Sequence, residues 1–300
     1  MKDHLTHERA RRWLLGAGTL TSLALAPLAA SAPQEGPDAC REAAQRALLS
    51  CRNEAASSFW LQRAKCANLS DPEERLECTL DAFEELKEEV GLCWERRGAR
   101  LDLCAALGGG VYAPQIDPAQ FVPVIDNPYL PLLPGTTRIY ESQGGEETER
   151  VEVSVLDDTK EILGVECTVV RDVVYVDGEL VEDTFDWFAQ DLAGNVWYFG
   201  EISLNYEDGE LVDIEGSWES GEEGAWPGIV MLASPRVGDV YRQEFLLREA
   251  EDVGAVIGLD QTVTVPYGTF SGCLWTEDYT PLEPDVLENK YYAAGIGVVL

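Results

Sequence analysis

Histidine is almost missing from this chain: its 300 residues include two, His4 and His7, both near the N-terminus. The first 32 residues have the pattern of an export signal, so the processed chain would contain no histidine. Such a chain cannot build a Ser-His-Asp triad, a histidine-ligated zinc or copper site, or a histidine-ligated haem. An enzyme made from it would have to use carboxylates, tyrosines or lysine.

Basic residues are also scarce: Lys and Arg number 22 against 55 Asp and Glu, a net charge of −33. The signal carries four of the basic and two of the acidic residues, which leaves 18 against 53, a net charge of −35. Charge of this size repels phosphate backbones and anionic lipid, so nucleic acid and anionic membranes are poor partners. It suits a secreted protein, or one that meets divalent cations through carboxylates.

The signal-like segment has the three parts that export requires. Basic residues Arg9, Arg11 and Arg12 precede an apolar run from Trp13 to about Ala30, and small residues follow. The paired arginines resemble a twin-arginine signal; the general secretory route and an uncleaved anchor are the alternatives. We expect residues 1–32 to be a signal peptide and the protein to reach the periplasm or the extracellular space.

Six cysteines lie between residues 40 and 104, with steps of 11, 15, 12, 15 and 11 residues that read the same in both directions. The composition here is helical, and "NLSDPEERLEC" at 68–78 has the cap, early proline and glutamates of a helix start. We predict two helices, about 37–68 and 71–106, that fold back on each other as a hairpin over residues 37–107.

In an antiparallel hairpin the residues that face each other have a constant sum of residue numbers. The cysteines satisfy this rule in one arrangement, which predicts the disulfides Cys40–Cys104, Cys51–Cys93 and Cys66–Cys78. A zinc or iron–sulfur site is the rival interpretation, but these spacings put neighbouring sulfurs more than about 15 Å apart along a helix. Cys167 and Cys273 make the total even, so we expect a fourth disulfide, Cys167–Cys273.

After the helices the composition changes to a Gly/Pro-rich linker at 108–135, apolar enough to lie along the next domain. Residues 136–300 are rich in β-branched and aromatic residues punctuated by turn signals, which predicts eleven strands between 137 and 300, with none between 215 and 239. The expected fold class is α+β with two domains: a disulfide-stapled antiparallel α-hairpin, then a mostly antiparallel β-meander or curved sheet, a half-barrel or barrel.

Four stretches of the chain are distinctive beside the six-cysteine helical region: "DNPYLPLLPGTT", "DWFAQDLAGNVWYFGE", "PYGTF" and "TPLEPDVLENKYYAAGIGVVL". In these stretches the chain resembles a family of uncharacterised secreted bacterial proteins of planctomycete-like and actinobacterial genomes, and the resemblance covers most of residues 38–300. It implies no activity. Members often have a histidine where Asn289 stands. The β-domain is more weakly similar to the half-barrels of periplasmic lipoprotein carriers, a likeness of fold alone.

Charged and aromatic side chains placed together within apolar strands are the candidates for a ligand site, because charges in such strands must be paired or solvated. The candidates are Asp186, Trp187, Tyr198, Glu201, Glu288, Lys290 and Tyr291. The stretch "FDWFAQDLAGNVWYFGE" at 185–201 is aromatic on both faces, which indicates burial on both sides or a ligand cavity on one. We identify no catalytic residue and expect no cofactor, although calcium near 191–195 or 207–210 is conceivable.

Three functions remain open. The favoured one is a non-catalytic binding module whose β-domain holds an apolar or cationic ligand. The second is a structural or interaction protein of the cell envelope that docks through the hairpin, and an exposed apolar stripe there would favour it. The third is a carboxylate-dependent hydrolase or lyase, which needs two carboxylates about 5 to 10 Å apart in a cleft. The expected partners are accordingly an apolar small molecule, a divalent cation or an envelope protein.

Overall fold

The computed structural model describes residues 38–142 and 148–300. The predicted signal peptide and the turn signal at Gly144-Gly145 lie outside the described residues. The chain starts with two helices, α1 (Ala39–Ala67) and α2 (Pro72–Leu107). Asp71 caps the second helix by accepting hydrogen bonds from the backbone N–H groups of Glu73 and Glu74, and Pro72 follows it directly. The helix boundaries differ from the predicted ones by one or two residues at each end.

The disulfide ladder is confirmed. Cys40–Cys104, Cys51–Cys93 and Cys66–Cys78 are bonded, with Cα atoms 5.7, 5.8 and 5.6 Å apart. Small residues line the contact between the helices and let the two backbones come this close; the buried ones are Ala44, Ala47, Ala55 and Ala82. Three disulfides indicate an oxidising, non-cytoplasmic compartment. Among the described residues, no helix is long and apolar enough to cross a membrane.

The fourth predicted disulfide is wrong. Cys167 and Cys273 are both buried as free thiols. Cys167 packs with Trp187 and Phe199 on the first of two sheets, and Cys273 packs with Val263 in a separate apolar cluster on the second. An even number of cysteines therefore did not imply a pair, because the fold places the two thiols in different parts of the core.

In the described part of the chain, fifteen strands follow the hairpin. They are β1 (Phe121–Val122), β2 (Thr137–Glu141), β3 (Glu149–Ile162), β4 (Val165–Val176), β5 (Glu179–Asp191), β6 (Val196–Glu207), β7 (Glu210–Asp213), β8 (Trp218–Glu219), β9 (Trp226–Met231), β10 (Val240–Arg242), β11 (Glu244–Phe245), β12 (Val253–Val265), β13 (Gly268–Tyr279), β14 (Leu287–Ala293) and β15 (Gly297–Val298).

The strands form two antiparallel curved sheets with half-barrel shape. The first has ten strands along the order β11-β9-β6-β5-β4-β3-β2, with β1 pairing to β5 and with β7 and β8 pairing to β6; the second has the order β10-β12-β13-β14-β15. Tight turns join most neighbours, as at Asp177-Gly178, where both residues have positive φ. Strands β1, β8 and β9 were not predicted, because β1 and β8 are too short to show a pattern and β9 contains Pro227 and Gly228.

The main hydrophobic core lies between the two sheets. Val155, Val170 and Met231 of the first sheet pack there with Val256 and Leu274 of the second. The opposite face of the first sheet is covered by the linker, as predicted: Phe121 packs on Phe199, and the strand β1 pairs with β5. The first sheet is thus buried on both faces along its centre.

The hairpin packs against the sheets, so the two domains form one compact unit. A buried ion pair joins Arg100 of α2 to Glu251. Near it, Arg96 donates to the backbone carbonyl of Leu282, and Arg248 pairs with Glu54 of α1. These contacts fix the face of the hairpin that the sheets cover.

Candidate functional site

The side chains that the two sheets turn towards each other are apolar at one end and acidic at the other. On the inner face of the first sheet, Val170, Asp186 and Glu201 stand side by side on neighbouring strands, and Asp172, Thr184 and Ser203 form the next row. Because side chains alternate along a strand, the carboxylates of these rows share one face. We call this group of side chains the acidic cleft; its charged members, which interact electrostatically, are Asp172, Glu182, Asp186, Glu201, Glu244, Asp252, Asp278, Glu288 and Lys290.

Asp186, Tyr198 and Glu201 form the centre of the acidic cleft. The Tyr198 hydroxyl donates to Asp186 Oδ1 at 2.6 Å, and Asp186 stands directly opposite Glu201 on the paired strands. Burial, and then repulsion by Glu201, raises the pKa of Asp186 well above its usual value. Burial raises the pKa of Glu201 to about 7, although the Tyr198 hydroxyl partly offsets the effect. Close to neutral pH, therefore, these two carboxyls carry less than two full negative charges.

Glu244 and Asp252 extend the acidic cleft along the edge of the sheets. Glu244 is 8% exposed, and the backbone N–H of Asp252 donates to its Oε1 at 3.4 Å. Burial raises the pKa of both carboxyls, and repulsion by Asp252 and Glu201 raises that of Glu244 further. Trp218 is 4% exposed, and its indole N–H lies near Glu244, where it partly offsets the rise in the pKa of that carboxyl. The indole N–H does not form a hydrogen bond of good geometry with Glu244.

The second sheet supplies Asp278, Glu288 and Lys290. Lys290 Nζ lies 3.0 Å from Asp278 Oδ2 and 3.3 Å from Glu288 Oε2. Burial by itself would lower the pKa of Lys290, but the two carboxylates outweigh it and raise the pKa. Asp278 also accepts hydrogen bonds from Gln243 and Thr276, so its charge is well compensated. The side of the cleft formed by the first sheet has no comparable ion pair among the described residues.

Aromatic rings line the acidic cleft beside its carboxylates. Phe188 stacks on Tyr198 with ring centroids 4.7 Å apart, and Trp218 meets Tyr198 edge-on at 5.3 Å. The aromatic stretch at 185–201 therefore has two roles: Phe188 and Tyr198 point inward, while Trp187 and Phe199 fill the apolar layer under the linker. The strands are buried on both sides, which is one of the two alternatives that the sequence offered; a ligand cavity on one side stays a prediction.

Two of the predicted site residues lie elsewhere. Trp187 belongs to the apolar layer on the outer face of the first sheet, where Lys160 Nζ sits 3.3 Å from its ring centroid. Tyr291 stacks on Trp275 with ring centroids 5.8 Å apart, on the outer face of the second sheet. Each is the sequence neighbour of a cleft residue, and neighbours on a strand point to opposite faces.

The two loops considered for calcium are closed hairpin turns. The Asp191 carboxylate accepts hydrogen bonds from the backbone and side chain of Asn195 and from the indole of Trp197. Asp208 and Gly209 form the turn between β6 and β7, with positive φ at both residues. In residues 38–142 and 148–300, no group of three or more His, Cys, Asp or Glu side chains is arranged to hold a metal ion. Calcium binding at these loops stays a prediction.

Comparisons of the chain with family models, with curated proteins and with solved structures find no match. The resemblance to a family of secreted bacterial proteins therefore stays a prediction, and the function has to be argued from the geometry of the cleft.

Proposed function

We propose that this protein is an exported, non-catalytic binding module that holds an organic cation in the acidic cleft. The observation that carries the proposal is the gathering of Asp172, Asp186, Glu201 and Glu244 on one side of the cleft without a basic side chain paired to any of them in the described structure. Each of these carboxyls has a raised pKa because burial and its acidic neighbours disfavour the charged form. A bound cation would relieve both the repulsion and the loss of hydration.

The aromatic rings favour an organic cation over a bare metal ion. Phe188, Tyr198 and Trp218 supply ring faces and edges next to the carboxylates. An ammonium or guanidinium group can be held by carboxylates and by ring faces at once, whereas a divalent metal ion needs several converging oxygen ligands. The ligand class is accordingly an alkyl amine or polyamine, whose methylene chain can pack on the apolar end of the cleft.

Isothermal titration calorimetry of the full processed chain with putrescine and spermidine tests this function. We expect saturable binding that the uncharged analogue 1,4-butanediol does not reproduce. The variants Asp186→Asn and Glu201→Gln should weaken binding at least tenfold, while Glu277→Gln, on the outer face of β13, should bind like the wild type. Absence of binding to either amine, or equal binding by E201Q and E277Q, would overturn the proposal.

The group of Asp186, Tyr198 and Glu201 also favours a second candidate, a carboxylate-dependent hydrolase or lyase. Two neighbouring carboxyls with raised pKa values, tied to one tyrosine hydroxyl, are a form of acid–base pair. Turnover of a panel of chromogenic glycosides would support this candidate if Glu201→Gln abolished it. Unchanged turnover in that variant would remove the candidate.

A further inference from the structure

We propose that the face of the helical hairpin turned away from the sheets is a self-association surface, on which a second copy of this chain binds. We call it the hairpin face. Its centre is a stripe of exposed apolar side chains on α2, namely Leu76, Leu80, Phe83 and Trp94, which are 60, 56, 52 and 49% exposed. At 100° per residue these positions fall within an arc of about 60° and extend over about 27 Å of helix, and the exposed Lys87 lies in the same arc between Phe83 and Trp94. The spacing of Leu76, Leu80 and Phe83 is typical of a helix that packs against another element.

Side chains from α1 complete the hairpin face. The rings of Phe59 and Phe83 pack with centroids 4.9 Å apart, and Arg63 donates to the hydroxyl of Thr79. Arg52 lies over the ring of Trp94, with its guanidinium carbon 5.8 Å from the centroid. These contacts hold the exposed rings in fixed positions, so the surface is ordered before a partner arrives.

The sheets leave this face uncovered because they occupy the opposite one. Ser50 and Glu54 of α1 contact Arg248, and each lies about 160° around the helix from Arg52. On α2, Arg100 points to Glu251 and lies about 120° from the stripe. Two copies could therefore meet through the hairpin face and keep both β-domains on the outside.

Charges of opposite sign border the apolar stripe. On its outer side runs a row of exposed glutamates: Glu73, Glu77, Glu84, Glu88 and Glu95. On its inner side lie the arginines Arg52, Arg63 and Arg97. In the part of the chain that the structure describes, none of these glutamates forms an ion pair, and neither do Arg52 and Arg63. Both charged borders are available to a partner.

This arrangement is complementary to itself under one symmetry. A twofold axis parallel to the hairpin brings the stripes of the two chains into contact. It also places the arginine border of each chain opposite the glutamate border of the other. A twofold axis across the hairpin would bring like charges together. In the favoured arrangement the helices run parallel and residues at about the same height meet, which pairs Arg52 with Glu95 of the second copy and Arg63 with Glu84. An anionic lipid surface fits less well, since the chain carries a net charge of −33.

Sedimentation-velocity experiments on the processed, oxidised chain test the proposal. We expect a concentration-dependent monomer–dimer equilibrium for the wild type. Phe83→Glu should give a monomer, and Leu211→Glu, which replaces an exposed apolar residue of β7, should dimerise like the wild type. Arg52→Glu alone should weaken dimerisation at least tenfold, and the double variant Arg52→Glu with Glu95→Arg should restore it, because the twofold axis places these residues opposite each other.

Several outcomes would contradict the second copy as the partner. A wild type that stays monomeric up to millimolar concentration overturns it, even if the same chain binds an envelope protein through Phe83. A dimer that survives Phe83→Glu overturns it as well. If Phe83→Glu does not fold, the variants at Arg52 and Glu95 test the arrangement instead. The parallel arrangement is rejected if Arg52→Glu dimerises like the wild type, or if the double variant stays monomeric.

Discussion

Arg100 of α2 and Glu251, in the connection between β11 and β12, form a buried, bidentate ion pair that joins the two domains. The Arg100 guanidinium donates three hydrogen bonds to the Glu251 carboxylate, at 2.5, 2.9 and 3.1 Å, and the side chains are 7 and 2% exposed. Glu251 also accepts from the backbone N–H of Arg248 at 2.7 Å. The hydrogen bonds from both residues satisfy the buried carboxylate oxygens.

Removing one partner of this pair should be costly. We expect Arg100→Met to lower the free energy of unfolding by about 3 to 5 kcal/mol, because Glu251 would be left buried and uncompensated. Urea denaturation measures the change. The exposed pair of Arg46 and Glu42 provides the control, since Arg46→Met should change the stability by less than about 1 kcal/mol. The double variant R100M with Glu251→Leu should recover most of the loss; failure to recover would show that the arginine acts by packing alone.

The free thiols predict a particular labelling pattern. Burial raises the pKa of Cys167 to about 12 and also raises that of Cys273, so neither thiol should react readily in the folded protein. Titration with Ellman's reagent should find no reactive thiol in the native chain and two after denaturation without a reductant. A fourth disulfide, by contrast, would leave none after denaturation. Peptide mapping of the same sample should recover the three hairpin disulfides intact.

The free energy of unfolding should fall as the pH rises from about 4.5 to about 7, because carboxyls of the acidic cleft lose their protons over this range. Glu201 has a pKa of about 7 in the fold against an ordinary value of 4.5, so the folded protein binds more protons than the unfolded chain between these values. The stabilising effect of its protonated form is complete below about pH 4.5 and is lost as the pH rises towards 7. Asp172, with a pKa of about 6, acts in the same direction.

Thermal unfolding from pH 5 to pH 8 measures this effect. The melting temperature of the wild type should decrease across that range, and Glu201→Gln should decrease less. At pH 8 the variant should be more stable by roughly 1 to 3 kcal/mol, since one pKa unit corresponds to about 1.4 kcal/mol. Identical pH profiles for the two proteins would mean that Glu201 ionises freely in the fold. A saturating amine should also reduce the loss at high pH, which links the measurement to the proposed ligand.

Gly200 should tolerate no side chain. Its φ is 137°, and an added Cβ would come 2.3 Å from the backbone oxygen of Trp218. We expect Gly200→Ala to lose about 2 to 3 kcal/mol of stability and to weaken amine binding, because β8 would be displaced from Glu201. Gly98 is the matched control. It lies inside α2 with nothing near its missing Cβ, so Gly98→Ala should gain about 0.5 to 1 kcal/mol.

The sequence predicted more of the hairpin than of the acidic cleft. Helical spacing and the mirrored cysteine steps are local and periodic signals, and together they determined both helices and three disulfides. Asp186, Tyr198 and Glu201 were predicted as site residues because a charge between aromatic residues of a strand is unusual. Asp278 could have been proposed in the same way, since it precedes Tyr279 and shares a strand face with the buried Leu274. Glu244 and Asp252 gave no such signal, because they lie in a short strand and a connection among ordinary polar residues.

The sequence by itself determined the helical hairpin and its three disulfides, and with them an oxidising, non-cytoplasmic compartment, since these depend on composition and on spacing along single elements. Tertiary structure alone decided which carboxylates meet, which aromatic rings turn inward, and that Cys167 and Cys273 stay apart. The register between strands and the packing of the two sheets bring together residues as distant in sequence as Val155 and Leu274, and no local pattern encodes that proximity. For the same reason the exposed stripe of α2 could be recognised as a surface only once the sheets were seen to cover the opposite face of the hairpin.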